Sequence, residues 1–400
     1  MTSVYLRRFS WLFAVLALAV PARPATVLVL PFHNSSQYSD LNWVGQSISE
    51  TLKDEFGQLN EIVFDRDSVA ESMQHLALRP DANFTKATLI RLGQTLDADY
   101  ICYGSYDATL PTGDSQLKDS AVQLTTHFID LRKLHDGADI TEAGKLADLS
   151  RLEQHLAWES LKYLQPGQNP PLDRFLAPDK MVRLDAEESY IRGLLSSNKE
   201  QQEKWFAQAV VLDPHFMSPV FELGKLYLAQ KDYRQALRWL EKIPATNARY
   251  PEARFKMGLS AYSLGDYNSA SGYFREVART FPMNEVFNDL GAAENQLALP
   301  AAIDDFCHAL DGDPNNTSYL FNLGIALWRN NRFEDASKQF QAVLDHDPKD
   351  SEARTLLNRA QLHEPYGSGN KPPVALRLTP NFDATAFRQL KAMLQPNRSM

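Results

Sequence analysis

Residues Thr317–Pro348 read TSYLFNLGIALWRNNRFEDASKQFQAVLDHDP, and this stretch decides the fold. Gly324 is followed twelve residues later by a small side chain, Ala336, and four residues after that by a large one, Phe340. Asn331-Arg332-Phe333 lies between them, and Pro348 closes the unit. The same frame recurs upstream on Gly224, Gly258 and Gly291, so that successive glycines are 34, 33 and 33 residues apart. Ala236 and Ala270 occupy the small position, with Ala302 one step early, and Leu240, Phe274 and Phe306 the large one. Pro282 and Pro314 end two of the units. An internal period of this length signals a stack of identical supersecondary units. Each unit is expected to be two antiparallel helices, with glycine and alanine where the helices approach most closely. The large residue is expected to fill the gap to the neighbouring unit, and the proline to stop the second helix. Lys231-Asp232-Tyr233 and Gly265-Asp266-Tyr267 mark the other turns, whereas Ala298-Leu299-Pro300 lacks a turn glycine or asparagine and predicts an irregular one.

This frame resembles the tetratricopeptide repeat over about residues 218–348. A degenerate fifth unit precedes it, matching at Tyr190, Gly193, Phe206, Ala209 and Pro214, and Ser351 to Leu362 is expected to be the capping helix such stacks need. The resemblance implies a concave groove lined by the first helix of each unit. From the register, its candidate residues are Phe221, Lys225, Phe255, Tyr262, Asn288, Asn295, Phe321, Asn322, Trp328 and Arg329. In a peptide groove the aromatics supply contact area, the asparagines clamp backbone amides and Arg329 meets a carboxylate. Against this, aromatic residues at helical spacing also pack between units as core. The family's carboxylate clamp needs paired lysines and asparagines; Asn322 and Arg329 are present without the full set, so recognition of a chain terminus is not expected.

Working outward, Pro166 to Pro178 contains four prolines and Gly167, a density that reads as a linker without helix. Upstream, strand and helix patterns alternate. Val27 to Leu30 is a short buried strand, Leu41 to Leu59 a helix with Val44, Ile48, Leu52 and Phe56 on one face, and Glu61 to Phe64 a second strand. Asp67 or Ser68 is expected to cap the next helix, Lys86 to Leu96 is another, and Tyr100 to Tyr106 and Ala121 to Leu131 are strands. Asp136-Gly137 turns into a further one. The motifs Leu30-Pro31-Phe32 with Asn34 and Ser35, Leu92-Gly93 leading to Ala98-Asp99-Tyr100 and Gly104, and Ile129-Asp130 resemble those of TolB-like proteins and their relatives in the curli-secretion and flagellar-outer-membrane families. That resemblance covers about residues 26–164 and implies a binding module of the cell envelope. The expected fold is therefore multidomain: an N-terminal α/β domain with a mixed sheet (residues 25–165), a Pro-rich linker (166–182), and an all-α tetratricopeptide superhelix with its cap (183–362). A tail follows (363–400), with a short amphipathic segment in which Phe387, Leu390 and Leu394 share a face. This segment either folds back on the last repeats or presents a helix to another molecule.

Residues 1–22 read as a signal peptide. Arg7 and Arg8 precede an apolar run from Phe9 to Val20, and Ala17, Ala19 and Ala22 suit cleavage. The run is short for a bilayer span, so a periplasmic or secreted location is expected ahead of an uncleaved membrane anchor. At 44% apolar and 23% charged residues the chain can bury a core, which excludes wholesale disorder. The net charge of −9 provides no overall basic field for nucleic acid. Cys102 and Cys307 read as small buried apolar side chains. No phosphate loop, nucleophile elbow or metal-ligand motif occurs, and His33, His127 and His135 are the histidines that could meet in the first domain. The acidic pairs Asp304-Asp305 and Asp311-Asp313 read as solvated face and cap. No catalytic residue, metal or cofactor is expected. The expected function is a non-catalytic scaffold or adaptor for a protein or peptide partner, associated peripherally with the envelope. A sensory or regulatory input module is the alternative, and a hydrolase ranks third.

Overall fold

The computed structural model describes residues 24–59, 61–79, 84–111, 117–137, 139–167, 170–368 and 374–394. The signal-peptide reading of residues 1–22 lies outside them. The N-terminal domain contains β1 (Thr26–Val29), β2 (His33–Asn34), α1 (Trp43–Gln58), β3 (Ile62–Val63), α2 (Arg66–His75), α3 (Lys86–Thr95) and β4 (Tyr100–Thr109). β5 (Ala121–Asp130), β6 (His135–Asp136), β7 (Ile140–Lys145) and α4 (Leu149–Leu164) complete it. The sheet order is β3-β1-β4-β5-β6, with β2 running beside β4 and β7 beside β5. β1 is parallel to β3 and β4, while β5 is antiparallel to its partners, so the sheet is mixed.

Alternation along β1 explains the two layers above and below it. Val27 and Val29 enter the core shared with α1 and α4, and Leu28 and Leu30 face α2 and α3. The short motifs of this domain are structural. A Cβ on Gly104 would lie 2.2 Å from the Thr125 carbonyl and 2.4 Å from the Phe32 ring, and one on Gly45 would strike the Phe32 carbonyl, so both must be glycine. Asn34 makes an Asx turn, accepting from the Ser36 amide. The cap of α2 is Asp65, which accepts from the Ser68 amide at 2.7 Å, rather than Asp67 or Ser68.

The proline-rich stretch is not a bare linker. Pro171 stands as the extended N-cap of a short helix, α5 (Leu172–Phe175), and Phe175 is fully buried. It sits in a core that continues from the sheet's helices into α6 (Leu184–Leu195) and α7 (Lys199–Leu212). The stack then proceeds as α8 (Met217–Ala229) with α9 (Tyr233–Leu240), α10 (Tyr250–Ser263) with α11 (Tyr267–Thr280), α12 (Asn284–Gln296) with α13 (Ala302–Gly312), and α14 (Thr317–Arg329) with α15 (Phe333–His346). α16 (Ser351–Gln361) caps it, and α17 (Ala384–Leu394) closes the described chain.

The repeat frame has a direct steric cause. A Cβ on Gly258 would come 2.5 Å from the Phe274 ring, on Gly324 2.6 Å from Phe340, and on Gly224 2.5 Å from Leu240. The large residue therefore packs onto the glycine of its own unit, in a core that continues into the next one. The turns are equally regular. Lys231, Gly265, Ala298 and Asn331 all have positive φ, and in each unit the amide three residues past the helix reaches back to close a Schellman motif, as with Leu299 to Glu294 and Arg332 to Leu327. The turn at Ala298 thus keeps the common geometry, against the expectation of an irregular one, with an alanine held in the left-handed region. Cys102 is buried as expected, whereas Cys307 is exposed.

Candidate functional site

The first helices of the units, α8, α10, α12 and α14, line one face of the stack, and the sequence-derived candidates lie on them. Among the described residues, the occupant of that face is the protein's own tail. Residues 374–383 run along it as extended chain, from the C-terminal repeats back toward the N-terminal ones.

Two asparagines do the holding. Asn322 accepts from the Arg377 amide at 2.8 Å and donates to the Arg377 carbonyl at 2.8 Å, so one carboxamide satisfies both main-chain groups of one residue. Asn288 donates to the same carbonyl at 3.0 Å and accepts from Asn322 at 2.8 Å. Both asparagines are fully buried, and they come from the first helices of adjacent units, Asn288 three residues before Gly291 and Asn322 two before Gly324. Further along, the Thr379 amide donates to Asp289 at 2.9 Å and the Asp383 amide to Glu285 at 2.9 Å. Burial raises the carboxyl of Asp289 well above the usual range, against the hydrogen bonds from Thr379 and Asn288, and burial also raises Glu285.

Aromatic residues supply the rest of the surface. Phe382 of the tail lies 5.4 Å from Phe255 between ring centroids, and Phe387 lies 4.6 Å from Phe281. Trp328 donates through Nε1 to the Glu364 carbonyl at 2.7 Å and meets Tyr366 edge-on, which anchors the start of the tail. Arg388 on α17 donates to the Val63 carbonyl on β3, at the edge of the N-terminal sheet.

Of the ten candidates, Phe255, Asn288, Phe321, Asn322 and Trp328 therefore touch the tail directly, and Arg329 lies over the Tyr366 ring at 5.3 Å. Arg329 donates to the Asn295 carbonyl and not to a carboxylate. Asn295 is buried, and Tyr262 accepts from Gln296 at 3.2 Å, its hydroxyl pushed up to about 12 by burial. Phe221 packs with Val220, Ala253 and Met257, and Lys225 pairs with Glu222. The acidic contributors Glu285, Asp289, Asp350 and Glu352 escaped the sequence reading. The one available signal was an asparagine just ahead of the repeat glycine in two successive units, at 288 and 322.

A second concavity, a cleft of about 770 Å³, lies where the two domains meet. Three of its acidic groups are paired, Glu50 with Lys53, Asp54 with Arg249 and Glu55 with Lys180. In its lining, Ser47 donates to Glu187 at 2.6 Å and Thr51 to the neighbouring Glu153 at 2.8 Å. These two buried carboxyls face each other, and burial raises both. Glu153 Oε1 and Glu187 Oε2 have no other partner, which one shared proton satisfies. His33, His127 and His135 do not converge; His127 pairs with Asp139 at 2.5 Å. Among the described residues no cluster of histidine, cysteine and carboxylate is placed to hold a metal, and no helix is long and apolar enough to cross a membrane.

Family models of the tetratricopeptide repeat match residues 221–285 and 298–360. No curated protein matches the chain. Solved structures similar to it include YrrB, described as a TPR protein with an unusual peptide-binding site, at 20% identity, 44% of this chain, 92% of that chain and a TM-score of 0.40. The pilF protein of Pseudomonas aeruginosa follows at 19% identity, 44% and 83% coverage and a TM-score of 0.38. The C-terminal domain of LpoB from Salmonella enterica is similar at 16% identity, 30% and 83% coverage and a TM-score of 0.24.

Proposed function

From a stack of tetratricopeptide repeats, a protein-interaction scaffold whose inner face already holds a polypeptide, we propose that this protein is an exported, non-catalytic adaptor of the cell envelope. It captures a partner polypeptide in extended form along the groove that its own tail occupies. The single observation that carries this reading is the pair of carboxamides, Asn288 and Asn322, bonded to the main chain of residue 377. Main-chain groups are common to every peptide, so the same donors and acceptors serve a segment supplied in trans once the tail leaves. The signal-like residues 1–22 and the TolB-like motifs support export and an envelope site. The self-occupied groove also suits a regulatory input module, in which ligand and tail compete for one face.

The test uses the full chain with a protease site placed at residues 369–373. After cleavage, a labelled peptide of residues 374–394 should exchange into the groove saturably and be displaced by its unlabelled form. Failure of the peptide to exchange, under conditions where the stack stays folded by circular dichroism, makes the groove a purely structural contact and ends this reading.

A further inference from the structure

Resting on the reading of the groove as a peptide site, we propose that its ligand is a partner's extended segment centred on an arginine between aliphatic residues. Phe321, Asp350 and Glu352 form the pocket that selects it. The main-chain clamps are blind to side-chain identity, so specificity must come from side-chain subsites. One tail side chain is held on several sides at once. The guanidinium carbon of Arg377 lies 3.5 Å from the centroid of the Phe321 ring. Its Nη1 meets Asp350 Oδ2 at 2.7 Å and its Nη2 meets Glu352 Oε2 at 3.4 Å. Phe321 is fully buried and braced at 6.0 Å by Phe340, so the stacking surface belongs to the repeat core and stands ready without the tail.

The chemistry points to arginine and not simply to a cation. A planar guanidinium stacks on a ring face while its edge donates to carboxylates, whereas an ammonium is a strongly hydrated point charge with no plane to stack. Burial alone would raise the carboxyl of Asp350; the hydrogen bonds from Arg377 and from the Ala353 amide outweigh it, and the group sits below its ordinary value. Asp350 is fixed by a second duty, capping α16 through the Ala353 amide at 2.9 Å. On either side of the arginine, Leu376 is buried and Leu378 packs against the cores of two neighbouring repeats. The clamp at Asn322 and the pocket at Phe321 come from adjacent residues of one helix. Backbone and side chain of the same ligand residue are thus read together, which sets the register of the whole segment.

The experiment uses the cleaved full chain described above, with the labelled peptide of residues 374–394 as probe. Unlabelled competitors carry arginine, lysine, alanine or citrulline at position 377. Citrulline keeps the plane and shape and removes the charge, so it isolates the carboxylate contacts. Citrulline and alanine should compete about tenfold or more weakly than arginine, with lysine weakened as well. On the protein, Asp350→Asn preserves the helix cap; it should weaken the arginine peptide by a similar factor and leave the citrulline peptide unchanged. If the arginine peptide exchanges but citrulline competes within about twofold of it, the arginine assignment falls while the groove remains a peptide site. If no peptide exchanges, the groove reading itself falls. If the uncleaved chain forms dimers by exchanging tails at the concentrations where the peptide binds, the occupant is a second copy and the partner assignment is overturned.

Discussion

Replacing Asn322 with alanine should release the tail without unfolding the repeats. The carboxamide accepts from the Arg377 amide at 2.8 Å and donates to its carbonyl at 2.8 Å. The carbonyl retains Asn288 at 3.0 Å, but the amide loses its partner. One net hydrogen bond is worth about 1 kcal/mol and one stranded amide costs about 1–2 kcal/mol, which together weaken docking by about 2–3 kcal/mol. That corresponds to a tail-open population about 30- to 150-fold larger. Hydrogen exchange measured residue by residue reads it directly. The Arg377 amide reports the broken bond, and the Thr379 amide, whose bond to Asp289 is untouched, reports whether the segment opens as a unit. Amides in the interior of α14 serve as the internal reference. Unchanged protection at both Arg377 and Thr379 would refute the clamp. Loss of protection throughout α14 would show that Asn322 supports the repeat rather than the tail.

Three further outcomes follow from the packing. Ala298→Gly relieves a left-handed alanine at φ 59° in an intact Schellman turn and should stabilise the stack by about 1 kcal/mol, seen as a higher Tm; a lower Tm contradicts the strain. Gly258→Val drives a side chain into the Phe274 ring, 2.5 Å from the added Cβ, and should cost about 3 kcal/mol in denaturant unfolding; a change within about 0.5 kcal/mol would mean the helices separate freely. Glu153 and Glu187 have raised values in the folded protein, so the stability they contribute is present while the shared proton is bound and is lost as pH rises through the raised value. Urea midpoints across a pH series should therefore fall toward alkaline pH in the wild type and less steeply in Glu153→Gln; parallel curves would remove the shared proton.

How much of this was readable from the residues depends on whether a contact leaves a local pattern. Gly324 and Phe340 are found from sequence because their contact lies within one unit and repeats down the chain. That the same ring also lies on the glycine of its own unit is not legible from spacing, which does not say which helix a ring faces. Asn288 and Asn322 are clamps, as their chemistry suggests, but the peptide they hold belongs to the same chain. Residues 374–383 carry no periodicity that could have shown this, because the groove binds their main chain, and a backbone contact has no sequence signature. Arg377 becomes conspicuous only once Phe321 and Asp350, 29 residues apart in sequence, are seen on either side of it. Leu149–Leu164 lies in a stretch of mixed patterns with no helix assigned, although together with α1 it covers one face of the sheet. The prolines at 166, 170, 171 and 178 read as helix breakers, yet a turn of helix follows Pro171 and carries Phe175 into the core.

The course of the tail has a mechanical consequence. A stack of helix pairs touches only its neighbours, so its curvature is soft, like that of a bow. The tail is strung across the inside of that bow. It is tied near the cap at Trp328 and Arg377, at mid-span through Asp289 and Phe382, and at the far end through Arg388 to β3 in the other domain. A string of fixed length sets the arc, and cutting it lets the limbs spread. On the proposed function, a partner segment that replaces residues 374–383 without an equivalent of Arg388 would restring the repeats, leave the end at β3 untied and so change the tension between the two domains.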